Sequence, residues 1–159
     1  MLWQLIFVIL LLINIITSEQ EFQNTPETTQ LWSLISSQQN LAFHRFIIEY
    51  PQLLQLRSED GRGALWWAWE YGNYEALSIM AINGIDIQYA KTDNDGKRPI
   101  DMAQNAQELL KKANELKHDK MREREAIIKQ IEKEKEDMTR SDDDDDFDYS
   151  NDALDDDDD

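Results

Sequence analysis

The sequence predicts an all-α protein: a short helical solenoid of about three repeats, then an extended charged helix, then a disordered acidic tail. Three observations lead there. A glycine-led loop opening into an apolar stretch occurs twice, at Asp60-Gly61-Arg62-Gly63-Ala64-Leu65 and Asp95-Gly96-Lys97-Arg98-Pro99-Ile100; Gly61 to Gly96 and Leu65 to Ile100 are both 35 residues. A recurrence near that period marks stacked helix-pair units. The apolar residues between the loops fall at helical spacings, as at Leu31, Leu34 and Ile35. The charge is also uneven. The formal net charge is −17, and the segment Asp142–Asp159 holds 12 aspartates and no base, so the remainder carries only −5.

Taken in order, residues 1–18 read as a signal peptide. The run from Leu5 to Ile16 is apolar and short of the roughly 20 residues that span a membrane. Ser18 offers a small residue before a cut. No Lys or Arg precedes the run, so an uncleaved anchor is the alternative. Cleavage would place the chain in the secretory pathway, in the endoplasmic reticulum lumen or secreted. Residues 19–29 form a polar lead-in. The repeat domain is expected over 30–113. Its first copy is worn, with Leu31, Leu34 and Ile35 on one helix and Leu41, Phe43, Phe46 and Ile47 on a second that ends at Pro51; Leu31 to Leu65 keeps the period at 34.

The second copy is better kept. Gly61 and Gly63 flank Arg62 in a tight turn where a positive φ suits glycine, Gly72 fits a left-handed helix cap, and Gly84 ends the second helix alike. In the third copy Pro99 suits a first helical position. Met102, Ala106, Leu109, Ala113 and Leu116 then carry an amphipathic seam, so that helix is expected to run on. Residues 114–140 form a charged helix with i,i+4 pairs such as Glu125–Lys129. A coiled coil through Ile127, Ile128 and Ile131 lacks three clean heptads. From 141 to 159 like charges repel and little can be buried, which predicts disorder.

Composition excludes several function classes. The chain has no cysteine, which removes disulfides, thiol nucleophiles and Cys-ligated zinc. Nucleic acid is a poor partner without clustered Lys and Arg. His44 and His118 are the only histidines, on separate segments, and no phosphate loop or nucleophile elbow appears. No enzyme is expected, and no resident cofactor.

The block Gly61–Ile87 resembles an ankyrin repeat. Gly61 takes the family glycine, and Gly63-Ala64-Leu65-Trp66-Trp67-Ala68 takes the Thr-Pro-Leu-His-x-Ala helix start. Gly72, Glu75, Leu77, Gly84 and Asp86 fall on family positions, as do Gly96, Pro99, Ile100 and Ala103 in the next copy. Trp66 and Asp101 stand where the family has His, and Arg98 where it has Thr. Family Thr and His bond the turn backbone, which Trp66 is not expected to do. The resemblance implies a binding scaffold or adaptor whose first helices line a concave face.

Trp66, Trp67, Trp69, Tyr71 and Tyr74 lie within nine residues and point in successive directions around a helix. Not all are expected to face inward. They either form a partner-binding patch on the concave face or seal the short array. The tail aspartates Asp142, Asp143, Asp144, Asp145, Asp146, Asp155, Asp156, Asp157, Asp158 and Asp159 invite weak calcium binding, on the order of millimolar. The rival reading of function is a low-affinity calcium-binding or chaperone-like lumenal protein acting through that tail. Ser141 beside them would suit an acid-directed kinase. Asp93, Asp95 and Gly96 imitate part of a calcium loop but read better as an inter-repeat turn, since Met102 stands where that loop needs Glu.

Overall fold

The structure, a computed structural model, describes residues 22–89 and 91–142, with the backbone alone at 141 and 142. The expected signal segment 1–18 and the aspartates from 143 onward lie outside the described residues. Among the described residues the chain is all-α, with no strand. The helices are α1 (Pro26–Ser36), α2 (Asn40–Glu49), α3 (Ala64–Glu70), α4 (Tyr74–Ile82) and α5 (Ala106–Asp142). Two 3-10 turns, Pro51–Gln55 and Pro99–Met102, complete the order. The chain divides into two compact units after Arg124.

α1 starts earlier than the apolar spacing suggests, inside the expected polar lead-in. Thr25 accepts from the Thr28 N–H (3.2 Å) while the Thr28 hydroxyl accepts from the Thr25 N–H (2.9 Å). This reciprocal cap, with Pro26 at the first helical position, satisfies donors that every helix start leaves open.

In the first unit, α1–α2 and α3–α4 are copies of one hairpin. The Gln39 N–H bonds the Leu34 carbonyl and the Asn73 N–H bonds the Ala68 carbonyl, each at 2.9 Å. The Asn40 N–H meets the Gln38 carbonyl as the Tyr74 N–H meets that of Gly72. Gly72 turns the chain at φ +62 and Gln38 does so at φ +55. Asn73 joins the copies. Its Oδ1 caps α4 by accepting from the Ala76 N–H (3.0 Å), and its Nδ2 donates to the Ile35 carbonyl (3.0 Å) and to Asn40 Oδ1 (2.8 Å).

The loops between hairpins repeat as well. The Ser58 N–H bonds the Arg62 carbonyl (2.7 Å) and, 35 residues on, the Asp93 N–H bonds that of Lys97 (2.9 Å). Neighbouring loops bond at the same interval: Asn24 Nδ2 donates to Glu59 Oε2 (3.2 Å), Asn94 Nδ2 to the Glu59 carbonyl (2.8 Å), and Arg57 Nη2 to the Thr92 carbonyl (2.8 Å). Each of these pairs is 35 residues apart.

Gly63 departs from the expected positive φ. Its backbone is extended, and glycine is needed because a Cβ would run into the Leu56 carbonyl oxygen. Leu41 is exposed, so the inward face of α2 is Phe43, His44 and Ile47. The third copy also differs from expectation. Pro99–Met102 makes a single 3-10 turn, Ala103 is extended (ψ 139), and a new helix begins at Ala106. The seam residues Met102, Ala106 and Leu109 still pack against the core, and Ala113 is fully buried. α3 sits at the centre, packed on α1, on α4 and on the second 3-10 turn. In the second unit the C-terminal part of α5 buries Ile127 and Ile131.

Candidate partner-binding surface

The central place of α3 decides the fate of its aromatic residues. Trp66, Trp67 and Trp69 are 4, 6 and 0% exposed. All three tryptophans are inside; of the five aromatics not all expected to face inward, Tyr71 is the one left exposed. A helix with one buried face must expose some of three such residues, but α3 has neighbours on several sides. Trp69 Nε1 donates to the Ile87 carbonyl (2.9 Å) and Trp66 Nε1 to the Lys97 carbonyl (3.0 Å). Trp66 therefore does tie down the next turn, contrary to the expectation that it could not, because its indole N–H is a donor. In the following copy Asp101 Oδ2 accepts from the Arg98 N–H at 3.0 Å.

Tyr74 is half-buried, with Lys112 Nζ 5.5 Å from its ring centre. Tyr71 is exposed at 40%, and its hydroxyl accepts from Trp32 Nε1 at 3.2 Å. Trp32, on α1, is itself 43% exposed. Sequence reasoning passed over Trp32. The signal was its place beside Leu31 and off the 31-34-35 stripe, where an aromatic side chain has no core to enter. A cleft of about 190 Å³ opens beside the pair, lined by Asn24, Thr28, Thr29, Trp32, Ser58 and Trp67. The exposed aromatic surface thus joins two successive hairpins through one hydrogen bond.

A second groove, about 640 Å³, lies by the loop that precedes α3. Arg57 crosses it with its guanidinium 4.2 Å from the Trp66 ring centre and 4.8 Å from that of Phe22. Burial lowers the Arg57 pKa from its ordinary value, while Tyr89, Asp93 and Asp60 act the other way. It stays cationic at any working pH.

A polar cluster sits where α5 meets the hairpins. His44 is fully buried and its Nδ1–H donates to Glu123 Oε1 at 2.6 Å; an ionised carboxylate can only accept, so the proton is on Nδ1. Lys120 Nζ lies 2.9 Å from Glu75 Oε2 and 3.0 Å from Glu123 Oε2. Burial pushes the His44 pKa down, Lys120 and Arg124 add to this, and Glu123 opposes it; the net shift is downward. Burial raises Glu123, but His44 and Lys120 outweigh it and hold the carboxyl below its usual value. His118 is exposed beside Asp119.

Asp93, considered for a calcium loop, is a turn acceptor. It takes the N–H groups of Asp95 (3.0 Å) and Lys97 (2.8 Å) and the Arg62 Nε–H (2.8 Å). Among the described residues no cluster of three His, Cys, Asp or Glu could hold a metal. Ser141 and Asp142 end α5, and the aspartates 143–146 and 155–159 of the calcium reading lie outside the described residues. No helix among the described residues is long and apolar enough to cross a membrane. In comparisons with protein families, characterised proteins and solved structures, nothing matches this chain.

Proposed function

We propose that this chain is a non-enzymatic protein-binding module, a scaffold or adaptor built on a short ankyrin-like array of about three repeats and acting in the secretory pathway. The duplicated hairpins and the 35-residue steps between loop hydrogen bonds support the array. Such arrays present side chains from successive units on one surface, which suits capture of a partner better than chemistry. The observation that carries the reading is the Trp32–Tyr71 pair: two large aromatics, exposed, fixed to each other across two hairpins, beside a small cleft. Aromatic residues of this kind anchor interfaces because they bury much apolar area for little lost rotamer freedom. The proposed patch is thus moved from the tryptophans of α3 to Trp32 and Tyr71, with Trp67 as the cleft wall.

The test is affinity capture from secretory-pathway extract with the wild-type chain and with a Trp32→Ala/Tyr71→Ala variant, followed by calorimetry with the purified captured protein. Loss of about 2 kcal/mol or more in the double variant is expected for a paired anchor. A variant truncated after Arg140 is expected to bind as the whole chain does. If truncation abolishes binding while the aromatic variant binds normally, the surface reading is wrong and the acidic tail is the working part.

A further inference from the structure

The Arg57 groove is separate from the Trp32–Tyr71 surface and has its own chemistry. Arg45, Arg62 and Arg98 each pair with a carboxylate, at 2.9, 2.8 and 2.7 Å. Arg57 has no carboxylate partner among the described residues. Its charge is held between two rings, one Nη2 hydrogen bond goes to the Thr92 carbonyl, and its Nε is buried with no acceptor. The second cation of the groove, Lys91, also sits by a ring, 5.9 Å from the Tyr89 centre. In a chain with 33 acidic and 16 basic residues, two cations lining one groove and resting on aromatic faces call for an explanation. Asp86 is the one carboxylate of the lining, and its Oδ1 already accepts from the Gln88 N–H at 3.0 Å. Leu54, Leu56, Leu65 and Ile85 supply apolar wall, beside the polar Gln55.

We propose that this groove binds an acidic peptide segment, seating a carboxylate between Arg57 and Lys91 and an adjacent apolar side chain against Leu54, Leu56 and Ile85. A guanidinium stacked between rings is oriented in advance, so little rotamer freedom is lost when a carboxylate meets its edge. Pairing in a partly dry groove is also stronger than on an open surface. The groove is half-open, which suits a segment of chain lying across it. The overall negative charge does not prevent this at physiological salt, where charges beyond about 8 Å are screened.

The probe is a fluorescein-labelled, acetylated hexapeptide of alternating leucine and aspartate, with an asparagine counterpart, titrated into the full chain by fluorescence anisotropy at physiological salt. The aspartate peptide is expected to bind at least tenfold more tightly than the asparagine one. Lys91→Gln, at the surface, is expected to weaken it several-fold, and Arg57→Gln more than tenfold. Circular dichroism checks that both variants keep wild-type helicity, and Lys91→Gln carries the test if Arg57→Gln does not. Equal binding of the two peptides, or unchanged affinity in folded variants, overturns the proposal. So does full displacement of the peptide by an equal concentration of octanoate, which would make the groove a site for small amphiphilic acids. Trp32→Ala/Tyr71→Ala is expected to leave this binding unchanged, so failure here is distinguishable from failure of the aromatic surface.

Discussion

Gln38 and Gly72 hold equivalent places in the two hairpins, and only one of them suits the backbone. A non-glycine residue in the left-handed region costs about 1–2 kcal/mol, part of which glycine would give back through its freer unfolded chain. Gln38→Gly is therefore expected to stabilise the protein by about 0.5–1 kcal/mol, and Gly72→Ala to destabilise it by about 1 kcal/mol or more, both read from urea midpoints. A Cβ at Gly72 would meet only Leu109 Cδ2, at 3.8 Å, so the cost there is conformational. A downward shift for Gln38→Gly would refute the equivalence of the turns. His44 gives a pH prediction. Its folded pKa lies below the unfolded value of about 6.5, so the unfolded chain binds the extra proton first. Stability is full above about pH 6.5 and falls as pH drops toward the folded pKa, by at most about 1.4 kcal/mol per unit. Glu123, also lowered, acts in the same direction but from about pH 4.5 downward. The charged groups facing His44 are Glu123, Lys120 and Arg124. The wild type is thus expected to lose stability between pH 7.5 and 5.5, and His44→Gln to lose less; equal losses would show that His44 does not titrate in that window.

Between elements, Asn73 is the joint of the two hairpins. Asn73→Ala removes the cap of α4 and the Nδ2 donor that ties it to the Ile35 carbonyl and to Asn40 Oδ1, while the Ile35 carbonyl keeps the Gln38 N–H. A lost cap costs about 0.5–2 kcal/mol and a lost side-chain hydrogen bond between the hairpins about 0.5–1.5 kcal/mol. A combined loss of roughly 1–3.5 kcal/mol is expected by chemical denaturation, and one under about 0.5 kcal/mol would show that Asn73 does not join the hairpins. How much of this was legible in the sequence depends on whether an element's form is set locally. Gly61, Gly72, Gly84 and Gly96 marked turns because positive φ favours glycine at the residue itself. The equivalent turn at Gln38 was hidden because its residue carries no such mark. Thr25-Pro26 announced the true start of α1, but the apolar spacing first becomes readable at Leu31. The 3-10 turn at Pro99 could not be told from a helix start, since both accept Pro at that place. Burial of Trp66, Trp67 and Trp69 depends on what packs around α3, which no window of local sequence contains. The pairing of His44 with Glu123, 79 residues apart, was hidden for the same reason.

For the molecule as a whole, the two hairpins bury Trp66, Trp67 and Trp69 and leave Trp32 and Tyr71 exposed, the pair proposed as the anchor for a partner. The side chains that looked most like a binding patch in the sequence turned out to build the core. One exposed aromatic that drew no attention, Trp32, completes the surface that replaces it. The most direct test is hydroxyl-radical footprinting read by mass spectrometry, on the free chain and on its complex with the captured partner. The account predicts strong labelling of Trp32 and Tyr71 in the free chain, protection of both in the complex, and little labelling of Trp66, Trp67 and Trp69 in either state. Unchanged labelling of Trp32 and Tyr71 on binding, with protection elsewhere on the chain, would contradict it.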